Sequence, residues 1–246
     1  MKKQNLLFFP FLFALGIGLL SCNFGNGGNV NTFQGIPAVV TSDASGTMLL
    51  GNPQFGYLLA PELTNINFGD CLYLQQFNID YDNQPSTQYY TASNIVEQAV
   101  NQSLLEVSDT VDIQNSTLPI TNVTGVSSVY YNGKFFVRLT CQDSNPVLRL
   151  VYNTKTDTIA NGITNLYLLA QSSSPNTSNP GIIHAFDLSN LLQSSRDTTI
   201  TVSGSSTPVV LKYKNVNLNY LSSISDTGVP TFVGASQNPF TIFMFK

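Results

Sequence analysis

The stretch VSSVYY-NG-KFFVRLTC, Val126 to Cys141, carries the strongest local structural signal in the chain. Two β-rich runs, 126–131 and 134–141, flank Asn132-Gly133. A two-residue type I′ turn needs positive φ at both central positions, and Asn-Gly tolerates this best, so the stretch predicts a β-hairpin. The same punctuation recurs outward in both directions. Residues 147–152 alternate apolar and polar, 157–162 form a turn, and 166–170 read as a compact buried strand. After the polar Ser/Pro/Asn loop 171–180, residues 182–186 form another strand, and Asp187 can cap a short helix over 188–193. Residues 198–202 and 209–213 pair around Gly204 and Pro208, and 240–245 is an apolar strand that calls for a partner sheet. Toward the start, 36–40, 47–50 and 57–60 are short apolar runs, the last two around a Gly/Asn/Pro turn. The long run 71–81 puts Tyr73, Phe77, Ile79 and Tyr81 at period two. Ile95, Val96, Ala99, Val100 and Leu104 fall at helical spacing behind Ser93, which predicts one helix there. Residues 108–123 are polar, contain Pro119 and read as a linker. Short strands at regular intervals with Gly-, Asn- and Pro-rich turns predict an all-β protein of barrel or sandwich type, in two units.

The first residues follow a different logic. Lys2 and Lys3 precede an apolar run from Leu6 to Leu20 that has signal-peptide length and is short for a membrane span. The run ends at Leu19-Leu20-Ser21-Cys22, which resembles the bacterial lipobox: an apolar residue, a small residue before the cut, then a cysteine. That resemblance implies removal of residues 1–21 and a thioether-linked lipid on Cys22. Each buried CH₂ of its acyl chains would contribute about 0.8 kcal/mol to membrane attachment. Residues 23–31, NFGNGGNVN, are uncharged and nearly free of apolar side chains, and 22–35 is expected to be a flexible tether.

Composition narrows the partners. The chain has 10 Lys+Arg against 14 Asp+Glu, and losing Lys2 and Lys3 makes it more acidic. No basic run exists, which argues against nucleic acid. Of the 3 cysteines, Cys22 is the lipid site. Cys71 and Cys141 either form a disulfide, which an oxidising compartment permits, or stay as two buried thiols.

The segment FGDCLYLQQFNIDYDNQPSTQYYTASNI, residues 68–95, resembles the central hairpin of the small N-terminal barrel in NigD-like lipoproteins of the Bacteroides group. The hairpin 131–136, the strand 166–169 and HAFDLSNLL at 184–192 resemble the same family in order. The resemblance implies an OB-like barrel followed by a β-sandwich, with no established enzymatic activity. The expected organisation is then signal 1–21, tether 22–35, OB-like barrel 36–107, linker 108–123 and β-sandwich 124–246. No Asp stands directly after Cys22, and the acidic cluster that often directs lipoproteins of this group to the cell surface is missing there, so the expected location is the outer membrane, facing the periplasm.

His184, the single histidine, is the only base available to a Ser-His or Cys-His device, and it sits inside an apolar strand, where a hydrogen-bonded structural role fits better. One histidine and no Cys pair at ligand spacing exclude the usual zinc arrangements, and no metal or other cofactor is expected. Asp80 and Asp82 offer oxygens for calcium, but NIDYDNQ lacks the Gly and closing Glu of an EF-hand, and hairpin-tip chemistry accounts for it. Carboxylate pairs for glycoside hydrolysis are not recognisable, since Asp and Glu mostly fall in turns. For glycan stacking the chain has no Trp but 11 Tyr, with Tyr89-Tyr90 and Tyr130-Tyr131 placing one ring on each face. Thr110, Thr158 and Thr198 each follow Asp in the short pattern on which Bacteroides-group bacteria attach O-glycans to exported proteins. The leading expectation is a non-enzymatic, membrane-anchored envelope lipoprotein working as an interaction or accessory module with a protein partner. The alternatives are a glycan or small-ligand module, and a surface-fibre subunit whose terminal strand 240–245 pairs with another chain.

Overall fold

The computed structural model describes residues 29–52, 54–84, 89–112, 118–131, 133–155, 162–172, 181–193, 196–201, 208–235 and 238–245. The chain is all-β as expected, and a small closed barrel followed by one curled sheet is consistent with the expected barrel and β-sandwich. Five strands close the barrel in the order β1-β2-β3-β5-β4: β1 (Val30–Ser42), β2 (Met48–Asn52), β3 (Gly56–Leu59), β4 (Cys71–Asp80) and β5 (Tyr90–Ala99). Its interior holds Ile36, Ala38, Val40, Leu50, Leu58, Leu72, Leu74, Phe77, Ile79 and Ala92. Alternation in β4 changes phase midway: the register against β5 slips between Leu74 and Gln76, and again between Gln76 and Asn78. One extra residue flips the facing of all that follow. Phe77, Ile79 and Tyr81 therefore pack with the barrel core, whereas Tyr73, expected on their face, packs outside it against Val39 and Cys71.

The remaining strands build one ten-stranded sheet: β6 (Asn101–Ser108), β7 (Ile120–Tyr131), β8 (Lys134–Cys141), β9 (Val147–Asn153), β10 (Ile163–Gln171), β11 (Gly181–Asp187), β12 (Arg196–Thr201), β13 (Pro208–Ile224), β14 (Pro230–Gly234) and β15 (Phe240–Phe245). The short helix α1 (Ser189–Gln193) follows β11. The path runs β12-β13-β10-β9-β6-β11-β8-β7, with β14 and β15 also on β13. The sheet curls over a core that draws Ile120, Phe135, Leu150, Leu168, Phe186, Leu192, Leu218 and Ile242 from strands along its length and from α1. Strand β6 is the joint: Asn101–Leu104 pair in parallel with β11, and Leu105–Ser108 pair in parallel with β9. The expected hairpins form, β7 with β8 and β12 with β13.

Four expectations change. The helix expected over Ile95–Leu104 is two strands, β5 and β6. Asn94 sits at φ 51 in a bulge of β5, and Val100 is buried where β5 gives way to β6. Those two breaks space the apolar residues as a helix would, but Leu104 is 74% exposed. Because β6 hydrogen-bonds within the larger sheet, the barrel strands end at Ala99 instead of running to 107. In the expected linker 108–123, Leu118, Ile120 and Val123 are buried in the larger core. In the expected tether 22–35, Val30 to Gln34 pair with Asp80 to Gln76. Polar side chains are matched across that ladder: the Thr32 hydroxyl donates to Asn78 Oδ1 at 2.8 Å and the Gln34 amide to Gln76 Oε1 at 3.3 Å.

The terminal strand is placed within its own chain. Residues 240–245 pair with Val216 to Leu211 of β13, and Phe240 and Ile242 are buried in the larger core. The strand that the fibre reading assigned to another chain's edge is therefore paired with β13 of its own chain.

Candidate functional site

The barrel end formed by the start of β1, the β2–β3 turn and the β4–β5 turn gathers aromatic residues. Phe33, Phe55 and Phe77 pack with ring centroids 4.6, 5.5 and 5.7 Å apart. Tyr81 and Tyr90 meet edge to face at 5.3 Å. Tyr90 shares the phase of Ala92 at the start of β5 and is 39% exposed, so the tyrosine pair stands at this end of the barrel. Tyr57, at the same end of β3, is 45% exposed. Asn52 shapes the turn beside it: its Oδ1 accepts from the backbone amides of Gln54 and Phe55 at 3.0 and 2.8 Å. This side chain is fully buried, and its Nδ2 has no hydrogen-bond partner among the described atoms.

The acidic tip of the β4–β5 turn is tied into the same rim. Asp80 accepts from the Asp82 amide at 3.0 Å and from the Asn83 side chain at 2.8 Å, and the Asn83 bond holds its carboxyl below the ordinary 3.8. Asp82 Oδ2 accepts from the Asn29 amide at 2.8 Å, and the Tyr81 amide donates to the Asn29 carbonyl at 3.0 Å. Both carboxylates thus clasp the turn and the incoming chain. Among the described residues no group of three His, Cys, Asp or Glu is placed to hold a metal ion.

The other end of β1 and β4 meets the larger sheet. Val39, Cys71 and Val100 pack against Phe136 of β8 and Ala185 of β11. The Gln102 amide donates to the Gly69 carbonyl at 3.2 Å across this junction. Cys71 is a free buried thiol here, and burial pushes it up to about 12. Cys141 is also free and lies in the larger core, where burial again raises it. The candidate bridge is not formed, because the two thiols belong to different cores. At the edge of the junction the Lys134 ammonium meets Asp187 Oδ2 at 2.9 Å. Burial pushes the Asp187 carboxyl up, but bonds from Ser189 and Lys134 outweigh it and bring it below 3.8.

The predicted hairpin turn and the predicted helix cap meet at this edge. Asp187 Oδ1 accepts from the Ser189 amide at 2.9 Å, and the Leu188 amide donates to the Gly133 carbonyl at 2.8 Å. Gly133 sits at φ 83, and a Cβ there would collide with the Ser189 hydroxyl. Gly133→Ala is expected to destabilise the protein by about 1–3 kcal/mol, from left-handed strain and the displaced serine. Urea unfolding should show a lower midpoint, and adding Ser189→Gly should recover only the part due to the collision.

His184 lies in β11 on the face of Phe186, their rings 4.7 Å apart, and is 7% exposed. Its Nε2 and the Ser103 hydroxyl share a hydrogen bond of 2.9 Å. Burial pushes its pKa down to about 4, so it is neutral at pH 7. A base this closed off has no access to substrate, and its position is that of a satisfied core residue.

The other sequence candidates are scattered. Thr110 is exposed in the turn after β6, its amide donating to Ser108 Oγ at 3.2 Å. Thr198 lies within β12 opposite Leu211, not at a loop edge. Tyr89 is half-buried beside the mouth. Cys22, Thr158 and the side chains of Tyr130 and Tyr131 lie outside the described residues. Sequence reading missed Phe33, Asn52 and Phe55 at the mouth. Asn52 before Pro53 was a turn signal, whereas Phe33 was hidden in an apparent tether.

No protein-family model and no curated protein matches the chain. Solved structures do. An uncharacterised protein from Parabacteroides merdae superposes with TM-score 0.59 at 13% identity, covering 87% of this chain and 99% of its own. The shared property is the fold. A candidate lipoprotein from Bacteroides fragilis follows with TM-score 0.57 at 12% identity, covering 83% of this chain and 97% of its own. A NigD-like immunity protein from Bacteroides caccae matches at TM-score 0.47 and 11% identity over 88% of this chain and 98% of its own.

Proposed function

We propose that this chain is a lipoprotein of the cell envelope, anchored through Cys22, whose two β units act as a non-enzymatic interaction or accessory module. The observation that carries the reading is Leu19-Leu20-Ser21-Cys22 at the end of an apolar run, with the first strand starting at Val30. The likeness in fold to a candidate lipoprotein of Bacteroides fragilis supports it. So does the state of the one histidine, buried, neutral and bonded to Ser103. The outer membrane, periplasmic face, is the proposed location. Exposed Thr110 remains a proposed O-glycan acceptor; Thr158 and Thr198 share its sequence pattern.

Cys22→Ala is expected to shift the protein from the membrane fraction to the soluble fraction of the native host and to abolish incorporation of labelled fatty acid. In a pull-down from solubilised envelopes, the wild type should enrich a defined membrane complex that Cys22→Ala does not. Equal partition of the two forms sinks the anchor, and enrichment of nothing by either sinks the accessory role.

A further inference from the structure

The tether is much shorter than the sequence suggests, and it enters at a defined place. Only residues 23–28 separate Cys22 from Asn29, whose amide and carbonyl are both bonded to the β4–β5 turn. Seven Cα steps reach at most about 25 Å. A lipid on Cys22 therefore keeps the aromatic mouth of the barrel within about 25 Å of the bilayer surface.

The rest of the fold lies away from that mouth. Along β1, nine residue steps lead from Val30 at the rim to Val39 at the junction with the larger sheet, about 30 Å of strand. Strand β5 likewise leads from Tyr90 at the mouth to Val100 at the junction. Strand β6 continues from there to Ser108, whose carbonyl accepts from the Thr154 amide at 2.8 Å.

Resting on the anchored reading, we infer that the barrel mouth is a membrane-facing surface that docks on zwitterionic lipid and holds the larger sheet outward. The rim carries the side chains for this. Val30 is 46% and Tyr57 45% exposed, and Tyr90 stands partly exposed against Tyr81. Tyrosine settles at the lipid–water interface, its ring among headgroups and its hydroxyl wet. Charge selects the lipid: among the described residues of the rim the charged groups are Asp80 and Asp82, which disfavour an anionic surface. Exposed Leu104 and Val107, on the face of the inner strand β6, are then left free for a protein partner.

The test uses full-length protein made and lipidated in the native host. The Cys22 thiol is consumed by the lipid, and Cys71 and Cys141 are buried, so an added surface cysteine is the reactive site. Val30→Cys and Tyr57→Cys on the rim and Lys155→Cys beyond the end of β9 each receive a bimane fluorophore. The proteins are reconstituted in phosphatidylcholine vesicles containing lipids spin-labelled at the headgroup. Both rim probes are expected to be quenched several-fold more than the probe at 155. Equal quenching at all three, with the diacylglyceryl mass present on the N-terminal peptide, overturns the orientation and leaves the anchor standing. A peptide mass without acyl chains overturns the anchor, and the orientation with it.

Discussion

Deleting residues 239–246 leaves a protein that does not fold. The segment supplies β15, which covers Leu211 to Val216 of β13, the strand on which β10, β12 and β14 also depend. Phe240 and Ile242 project into the larger core, and the Phe240 ring meets Phe135 at 5.7 Å. Truncating a buried Phe or Ile costs about 2–5 kcal/mol each, and a whole domain is stable by about 5–15 kcal/mol. Losing both side chains together with six residues of backbone pairing therefore removes most or all of the margin. The bared edge of β13 also becomes a template for aggregation. The truncated chain is expected in inclusion bodies, or as a soluble species without near-UV circular dichroism. Phe240→Ala alone should be graded, folding but unfolding in urea about 3–5 kcal/mol sooner. A truncated chain that is a stable, cooperative monomer would show that β15 is dispensable to the fold.

How far the sequence could be read follows from the range of the interactions. The hairpin of β7 and β8, the β12–β13 pair and the cap of α1 are written in adjacent residues, and all three stand. Parallel pairings carry no adjacent signal. Strand β6 lies against β11 and β9, each some 40 residues or more away in sequence, so its membership of the larger sheet was hidden and its apolar residues suggested a helix. Bulges hid more: one extra residue in β4 turned Tyr73 away from the face shared by Phe77, Ile79 and Tyr81. Phe33 was overlooked because the amides of 29–34 resemble a linker until Asn78 and Gln76 are found opposite them. The mouth of the barrel combines three such segments, which is why Phe33, Asn52 and Phe55 drew no notice from sequence. The plain role expected for His184 rested on its apolar neighbours, and these are what bury it.

The same burial makes His184 an acid sensor of stability. In the unfolded chain its imidazole has the ordinary pKa of 6.5, while in the fold burial lowers it to about 4. Between those values the unfolded state binds a proton that the folded state refuses, so stability rises with pH in that window. The contribution is complete above about pH 6.5 and is lost as the pH falls toward 4. At 1.36 kcal/mol per pH unit the gap is worth about 3 kcal/mol, a fifth or more of a typical folding free energy. Carboxylates act lower on the scale: Asp43, Asp80 and Asp109 are held by hydrogen bonds below their ordinary 3.8, so their contribution begins to fail where that of His184 is already spent. Urea midpoints taken from pH 7.5 down to pH 4.5 should therefore fall steadily for the wild type. In His184→Gln the amide can still face the Ser103 hydroxyl but does not titrate, and its midpoints should be nearly flat over the same range. Parallel slopes for the two proteins would mean that the buried imidazole accepts its proton without cost and that another group governs the acid limb.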